Sequence, residues 1–231
     1  MEGKIMNQFD SLTRALLNDQ ELMAQLNDYH LTEEERNNLI LQILRKADQK
    51  KKEPKYLNLI QTLPNDYISF DIETTGFSYT DKMTQIAAVK YINRQPIEEF
   101  TTYVNTEGLF IPANITRLTG ITNQETDTAP TLRIATSLFM DFIEDFQLIG
   151  HNINSFEIPR FRKWADIDLK PRVAIDTYNL AKIVPLNIEN YKLETLKEFY
   201  NIDLESHNAL SDSKTTAIVF ENIRNLKFDH F

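Results

Sequence analysis

Three short segments carry residues whose types and spacing suit metal-assisted acid–base chemistry. The first is Asp71-Ile72-Glu73, followed by Thr74-Thr75-Gly76 and preceded by the β-prone run Tyr67-Ile68-Ser69-Phe70. Side chains alternate along a strand, so Asp71 and Glu73 share a face. Their Cα atoms then lie about 6.5 Å apart, two strand rises. Two carboxylates so placed suit a hard divalent cation such as Mg2+. With 34 Asp and Glu in the chain, about one Asp-x-Glu arises by chance, and a solvated strand end explains it equally well. The apolar run before it argues instead for a central strand, where paired carboxylates are costly without a cation.

The second segment is Gly150-His151-Asn152-Ile153-Asn154-Ser155-Phe156-Glu157. It leaves an apolar stretch and enters a helix, with Glu157 in an early turn. Taken alone, the plainer reading is that Ser155 caps the helix and Glu157 complements its dipole. The third is His207-Asn208-Ala209-Leu210-Ser211-Asp212, at the start of the last helix. Residues five apart on a regular helix point about 140° apart. The two side chains therefore converge only if His207 lies in the incoming loop. A loop His beside a cation suits a general base, since its unperturbed pKa of about 6.5 lies near neutrality. In isolation, a loop His and a helix-start acid need no function.

The elements that must position these residues fall into two parts. Over residues 1–66, Phe9, Leu12, Leu16, Met23 and Leu26 recur at helical spacing. Thr32 and Glu35 then have the spacing of a capping box, and Leu39, Ile40, Ile43 and Leu44 form a second apolar stripe running into Lys50-Lys51-Lys52, with Pro54 as a stop. This part reads as a helical hairpin or arm. From Tyr67 onward strands and helices alternate. Tyr67–Ile72, Met83–Ile92 and Pro96–Asn105 read as strands, the last two joined by a turn at Asn93-Arg94-Gln95. Thr131–Phe146 reads as an amphipathic helix and Gln147–Gly150 as a buried strand; helices follow at 155–165, 176–184, 192–200 and 209–226. This order indicates an α/β fold, a mixed sheet flanked by helices.

Composition narrows the chemistry. The 231 residues contain no cysteine and only four histidines, so thiolate metal sites and cysteine nucleophiles are excluded. The net charge of −9 is the wrong sign for a protein that coats nucleic acid by charge alone. A nucleic-acid substrate would be met at a local site, with a cation between two negative partners. No apolar run approaches the roughly 18–20 residues of a membrane span, and Met1–Met6 lacks a charged-then-apolar leader. The expectation is a cytoplasmic protein with no membrane partner.

Together and in this order, the three segments resemble the DEDDh family of 3′-to-5′ exonucleases. The resemblance runs from Tyr67 to Leu226 and includes the connecting motifs Leu118-Thr-Gly-Ile-Thr122, Ile175-Asp-Thr177 and Tyr191-Lys-Leu-Glu-Thr-Leu196. It implies an RNase H-like mixed five-stranded sheet at 67–231, with residues 1–66 as a helical appendage. It also implies two Mg2+ or Mn2+ ions, with Asp71 bridging both, Glu73 and Asp212 completing one site and Glu157 supporting the other. His207 would take the proton from the attacking water. Thr74, Gly76 and Phe77 would cradle the 3′-terminal nucleotide, Ile121 would wedge against its base, and Asn152 and Phe156 would border the sugar and phosphate. For Phe77, Ile121 and Phe156, core packing is the equal alternative. Arg160, Arg162 and Lys163 either track the strand or form a solvated helix face. One residue departs from the family pattern: Glu157 stands where Asp is usual. A silent module that binds nucleic acid or a replication or repair partner is therefore the competing expectation. Implied partners are single-stranded nucleic acid or 3′ ends, and, through the arm, a polymerase, a helicase or a second copy of the chain.

Overall fold

The computed structural model describes Thr32, Glu35 and residues 62–78, 80–169, 174–184 and 186–226. The expected helical arm, including the Lys50-Lys51-Lys52 run, lies outside the described residues except at its capping box. There the Thr32 N–H and Oγ1 each reach Glu35 Oε2 at 2.8 Å, and the Glu35 N–H returns to Thr32 Oγ1 at 3.3 Å. Residues 62–226 form one unit.

Five strands form a single sheet: β1 (Tyr67–Thr74), β2 (Met83–Ile92), β3 (Gln95–Tyr103), β4 (Gln147–Gly150) and β5 (Ala174–Asp176), in the order β3-β2-β1-β4-β5. β1 is central, antiparallel to β2 and parallel to β4, while β4 is parallel to β5. β2 and β3 close through a two-residue turn at Asn93 and Arg94, both with positive φ, which is the type I′ pattern that matches strand twist. Gln95 therefore belongs to β3, and that strand ends two residues earlier than expected, at Tyr103. Pro96 sits on this edge strand, where its missing N–H costs nothing to the ladder.

The helices described are α1 (Ala113–Thr119), α2 (Asn123–Asp127), α3 (Leu132–Ile143), α4 (Glu157–Ala165), α5 (Thr177–Ile183), α6 (Leu193–Phe199) and α7 (Ala209–Arg224). α3 is shorter than the apolar pattern suggests, because Glu144 turns to φ 45° and ends it. α2, five residues long, is too short for a helical period, and β5, three residues long, too short for a strand alternation.

Alternation along β1 divides its side chains between two layers. Ile68, Phe70 and Ile72 enter the main core with Phe139 and Ile143 of α3 and Ile158 and Phe161 of α4. Phe70 lies 5.1 Å from Phe139 and 5.9 Å from Phe161, ring to ring. On the opposite face, Tyr67 stacks on Tyr91 at 4.7 Å and meets Phe220 of α7 edge-on at 5.1 Å. Ser69 Oγ donates to the Ser213 carbonyl at 2.8 Å, and Ser213 Oγ donates to the Ala87 carbonyl at 3.1 Å. Small side chains thus let α7 settle close against β1 and β2. Asp71 and Glu73 continue this same face toward the N-terminal end of α7.

Candidate active site

The parallel pairing of β1 with β4 stops at Ser69. Asp71 and Glu73 consequently lie beyond the end of β4, on the rim where the carboxyl ends of parallel strands open into a crevice, the usual ligand position in open α/β sheets. The chain leaving β4 at Gly150 and the chain leaving β5 at Asp176 arrive at the same rim. Between them is a cleft of about 510 Å3, lined by all five expected catalytic residues: Asp71, Glu73, Glu157, His207 and Asp212.

Carboxylate oxygens of Asp71, Glu73 and Asp212 all lie within 4.8 Å of one another. Glu157, 2% exposed, lies close enough to the Asp71 carboxyl to raise its pKa, and its Oε2 is buried with no hydrogen-bond partner. Burial drives the Asp71 carboxyl well above the usual range, and the charges of Glu157, Glu73 and Asp212 push it further. Glu73 rises to about 8 through burial and the neighbouring Asp212 charge, and Glu157 to about 8 through burial. Asp212 reaches about 6, its burial partly offset by the His207 N–H. Four acids crowded this closely repel one another unless protons or cations intervene. An orphaned buried oxygen and a carboxylate triad at this spacing fit hard divalent cations, whose ligands are oxygens.

His207 is indeed in the loop, at φ 61°, before the Asn208 side chain caps α7. Its N–H donates to Asp212 Oδ2 at 2.9 Å, and its Nε2 faces Glu194 Oε1 at 3.7 Å. Lys197 Nζ holds the incoming loop through the Leu204 carbonyl and Ser206 Oγ. On α4 the N-cap position is Phe156, without a side-chain cap, so Ser155 does not cap this helix.

The first-motif loop is tightly latched. Thr74 Oγ1 donates to the Gly76 carbonyl at 2.8 Å, and Thr75 Oγ1 to Asp81 Oδ1 at 3.1 Å. A Cβ on Gly76 would stand 2.8 Å from Asp81 Oδ2. Thr74, Gly76, Phe77, Asn152 and Phe156 all line the cleft. Phe77 is 79% exposed and meets Phe156 edge-on at 5.9 Å, which removes the core-packing alternative for Phe77. The Arg160 guanidinium carbon stands 3.4 Å from the Phe156 ring centroid.

Ile121 is not brought to the cleft. It is 4% exposed and packs with Ile111 and Ile115 in a small satellite core; Ile115, Leu118 and Thr119 of α1 line the cleft in that region instead. The sequence also left His151, Tyr178, Lys192 and Glu194 without roles, and all line the cleft. His151 and Glu194 sit inside recognisable motifs, whereas Tyr178 carries no local signal. Asp176 organises this side: its carboxylate accepts from the N–H groups of Asn152 at 2.9 Å and Tyr178 at 3.0 Å, and from Asn179 Nδ2 at 3.2 Å. His151 Nδ1 contacts Thr177 Oγ1 at 3.0 Å, and burial lowers the imidazole to about 4, keeping it neutral.

Comparison with known proteins bears on this geometry. A family model described as Exonuclease, RNase_T, matches residues 68–220. The DNA polymerase III PolC-type protein of Clostridium perfringens is 36% identical over 104 residues, covering 45% of this chain but only 7% of that protein. The structure of E. coli exonuclease I in complex with a dA16 oligonucleotide superposes with a TM-score of 0.57 at 18% identity, covering 69% of this chain and 41% of that one. Exonuclease X in complex with 5′ overhanging duplex DNA superposes with a TM-score of 0.56 at 21% identity, covering 69% and 91%. At these identities the two structures establish a shared fold.

Proposed function

The chain belongs to the RNase_T exonuclease family, and from that premise we propose that it is a metal-dependent 3′-to-5′ exonuclease of the DEDDh type, with Glu157 in the third acidic place. Its mixed five-stranded sheet with flanking helices is the RNase H-like exonuclease fold. The reaction proposed is hydrolysis of the terminal phosphodiester of a nucleic-acid 3′ end. Water adds to phosphorus, the bond to the 3′ oxygen of the preceding nucleotide breaks, and a nucleoside 5′-monophosphate leaves. Single-stranded DNA is the favoured substrate and RNA a possible one. The observation that carries this reading is the Asp71, Glu73 and Asp212 carboxylate triad within 4.8 Å, with His207 tethered beside it.

Asp71, Glu73 and Asp212 would hold one divalent cation, and Asp71 with Glu157 a second, as two Mg2+ or Mn2+. Bound there, such ions lower the pKa of water and neutralise charge developing on the phosphate. The protein's own groups do the rest. His207 accepts the proton of the attacking water. Asp212 fixes that loop through the His207 N–H. The backbone at Thr74–Gly76 and the exposed ring of Phe77 receive the terminal nucleotide, bordered by Asn152 and Phe156. The oligonucleotide bound by exonuclease I and the duplex bound by exonuclease X support DNA as ligand.

The matched relatives extend far beyond the matched segment, so partners are part of the proposal. We place an exonuclease domain at 67–231 and a helical arm at 1–66 that meets a polymerase, a helicase or a second copy. No helix among the described residues is long and apolar enough to cross a membrane; the site of action proposed is the cytoplasm. The decisive experiment uses 5′-labelled single-stranded DNA and RNA with Mg2+ and then Mn2+. A metal-dependent ladder shrinking from the 3′ end, absent with Asp71→Ala, is the expected result. Binding without any ladder would replace this reading with a silent nucleic-acid-binding module.

A further inference from the structure

We infer that the flank of the cleft lined by Tyr178 and Lys192, continued outward by Lys182 and Tyr191 beside the Tyr178 ring, is a binding track for the nucleotides upstream of the 3′ end. The inference rests on the nuclease reading and deepens it. Tyr178 and Lys182 stand one turn apart on α5, on one helix face, with the Lys182 ammonium 3.8 Å from the Tyr178 ring centroid. Tyr191 meets Tyr178 edge-on at 6.5 Å, and Lys192 lines the cleft together with Tyr178. The flank is braced from below. His151 meets the Tyr178 ring edge-on at 5.8 Å and is held through its Nδ1 contact with Thr177 Oγ1.

Charge pairing distinguishes the two lysines of this flank from several others. Lys82 is paired with Glu107, Lys90 with Glu98 and Glu144, and Lys214 with Glu99. Lys182 and Lys192 are both exposed and are in no ion pair among the described residues. Two uncompensated ammonium groups interleaved with two tyrosines, on a chain of net charge −9, suit a ligand that presents phosphates and flat rings in alternation. Single-strand binding sites combine cations that track the backbone with aromatics that stack the bases. On the opposite flank, Arg160 stands over the Phe156 ring much as Lys182 stands over Tyr178, but it also donates to the Phe156 carbonyl.

The test compares an octathymidylate with the p-nitrophenyl ester of thymidine 5′-monophosphate, which has no upstream nucleotide. Lys182→Gln should raise KM for the octamer and leave the ester's KM alone, while Arg133→Gln on the exposed start of α3 changes neither. Adding Lys192→Gln should flatten the slope of log(1/KM) against log salt by about 1.4 in total, from about 0.7 for each lost single-strand phosphate contact. An octamer KM and salt slope equal to wild type would overturn the track. A KM for the ester that rises as much as that for the octamer upon Lys182→Gln would overturn it too, by placing the lysine at the terminal nucleotide. A wild-type protein that hydrolyses neither compound would overturn the nuclease reading itself.

Discussion

The backbone N–H of His207 donates to Oδ2 of Asp212 at 2.9 Å, so the imidazole is tied to one of the carboxylates beside which it must work. This bond needs His207 in the left-handed region, at φ 61°, a conformation that side chains with a Cβ adopt at a cost of roughly 1–2 kcal/mol. His207→Gly therefore separates the two contributions. Glycine is at ease at this φ, so thermal stability should hold or rise while hydrolysis falls about 10²–10⁴-fold, the usual worth of a general base. Added free imidazole should restore part of the rate. A fall in stability with no loss of rate would remove His207 from the chemistry.

Asp71→Asn removes the central charge of the acid cluster with little change of shape. The expected loss of hydrolysis is about 10³-fold or more, beyond what one lost electrostatic contact usually costs. In EDTA the variant should melt above wild type, because burial and three neighbouring acids all disfavour the Asp71 carboxylate. Added Mg2+ should raise the wild-type Tm and leave the variant's nearly unchanged.

The acids also set how stability varies with pH when metal is withheld. Glu73 and Glu157 both stand at about 8 in the folded chain, against about 4.3 for an unperturbed Glu. Between those values the folded state binds more protons than the unfolded one, so stability falls as pH rises. In EDTA, Tm should be highest near pH 5 and decline by about 5 °C or more through pH 8.5. Saturating Mg2+ should flatten or reverse this slope. A Tm in EDTA that climbs over the same interval would show that these carboxyls are not destabilised by their surroundings.

Glu157→Gln keeps the side chain's length and its capacity to meet Asp71 but removes its charge. Hydrolysis with Mg2+ should drop about 10²-fold or more, the scale of a lost transition-state electrostatic contact, with Tm in EDTA unchanged or higher. Full activity would release Glu157 from the site and reopen the question of why the family's usual Asp is missing.

Gly76→Ala probes the first-motif loop. The new Cβ would press on an Asp81 carboxylate that already holds Thr75 Oγ1. KM for oligonucleotides should rise about tenfold, as expected when a positioned binding loop is displaced, with a smaller change in kcat. Unaltered kinetics would mean that Asp81 yields freely and the loop is not preset.

Much of this was legible in the sequence because long apolar runs and short-range spacing carry it. Met83–Ile92 is a strand with ten residues of mostly apolar, β-prone character, and the Asp71/Glu73 face follows from alternation alone. The His207 loop could be inferred from geometry, since only a non-helical His meets Asp212. What escaped was set at long range. Ile121 and Leu118 are both aliphatic, and only the packing of α1 decides that Leu118 faces the cleft while Ile121 is buried. Tyr178 reaches the site because β5, only three residues long, delivers α5 to the rim. Ser155 has the chemistry of a cap, yet the chain passes through Phe156 before helical geometry begins.

The seam between α7 and the sheet has one more consequence. Ser69, Ala87, Ala209 and Ser213 leave little slack there, and this joint is the part of the seam nearest the Asp71 and Asp212 carboxylates. A single added methyl or methylene at the joint, as in Ser213→Thr, would act as a shim, displacing one jaw of the site by a fraction of an ångström. The core on the far side of the sheet, built on Phe70, Phe139 and Phe161, would not feel it. Such a protein would fold and bind its strand, melting somewhat below wild type, yet turn over poorly: inactivation without unfolding, produced by a side chain that takes no part in the chemistry.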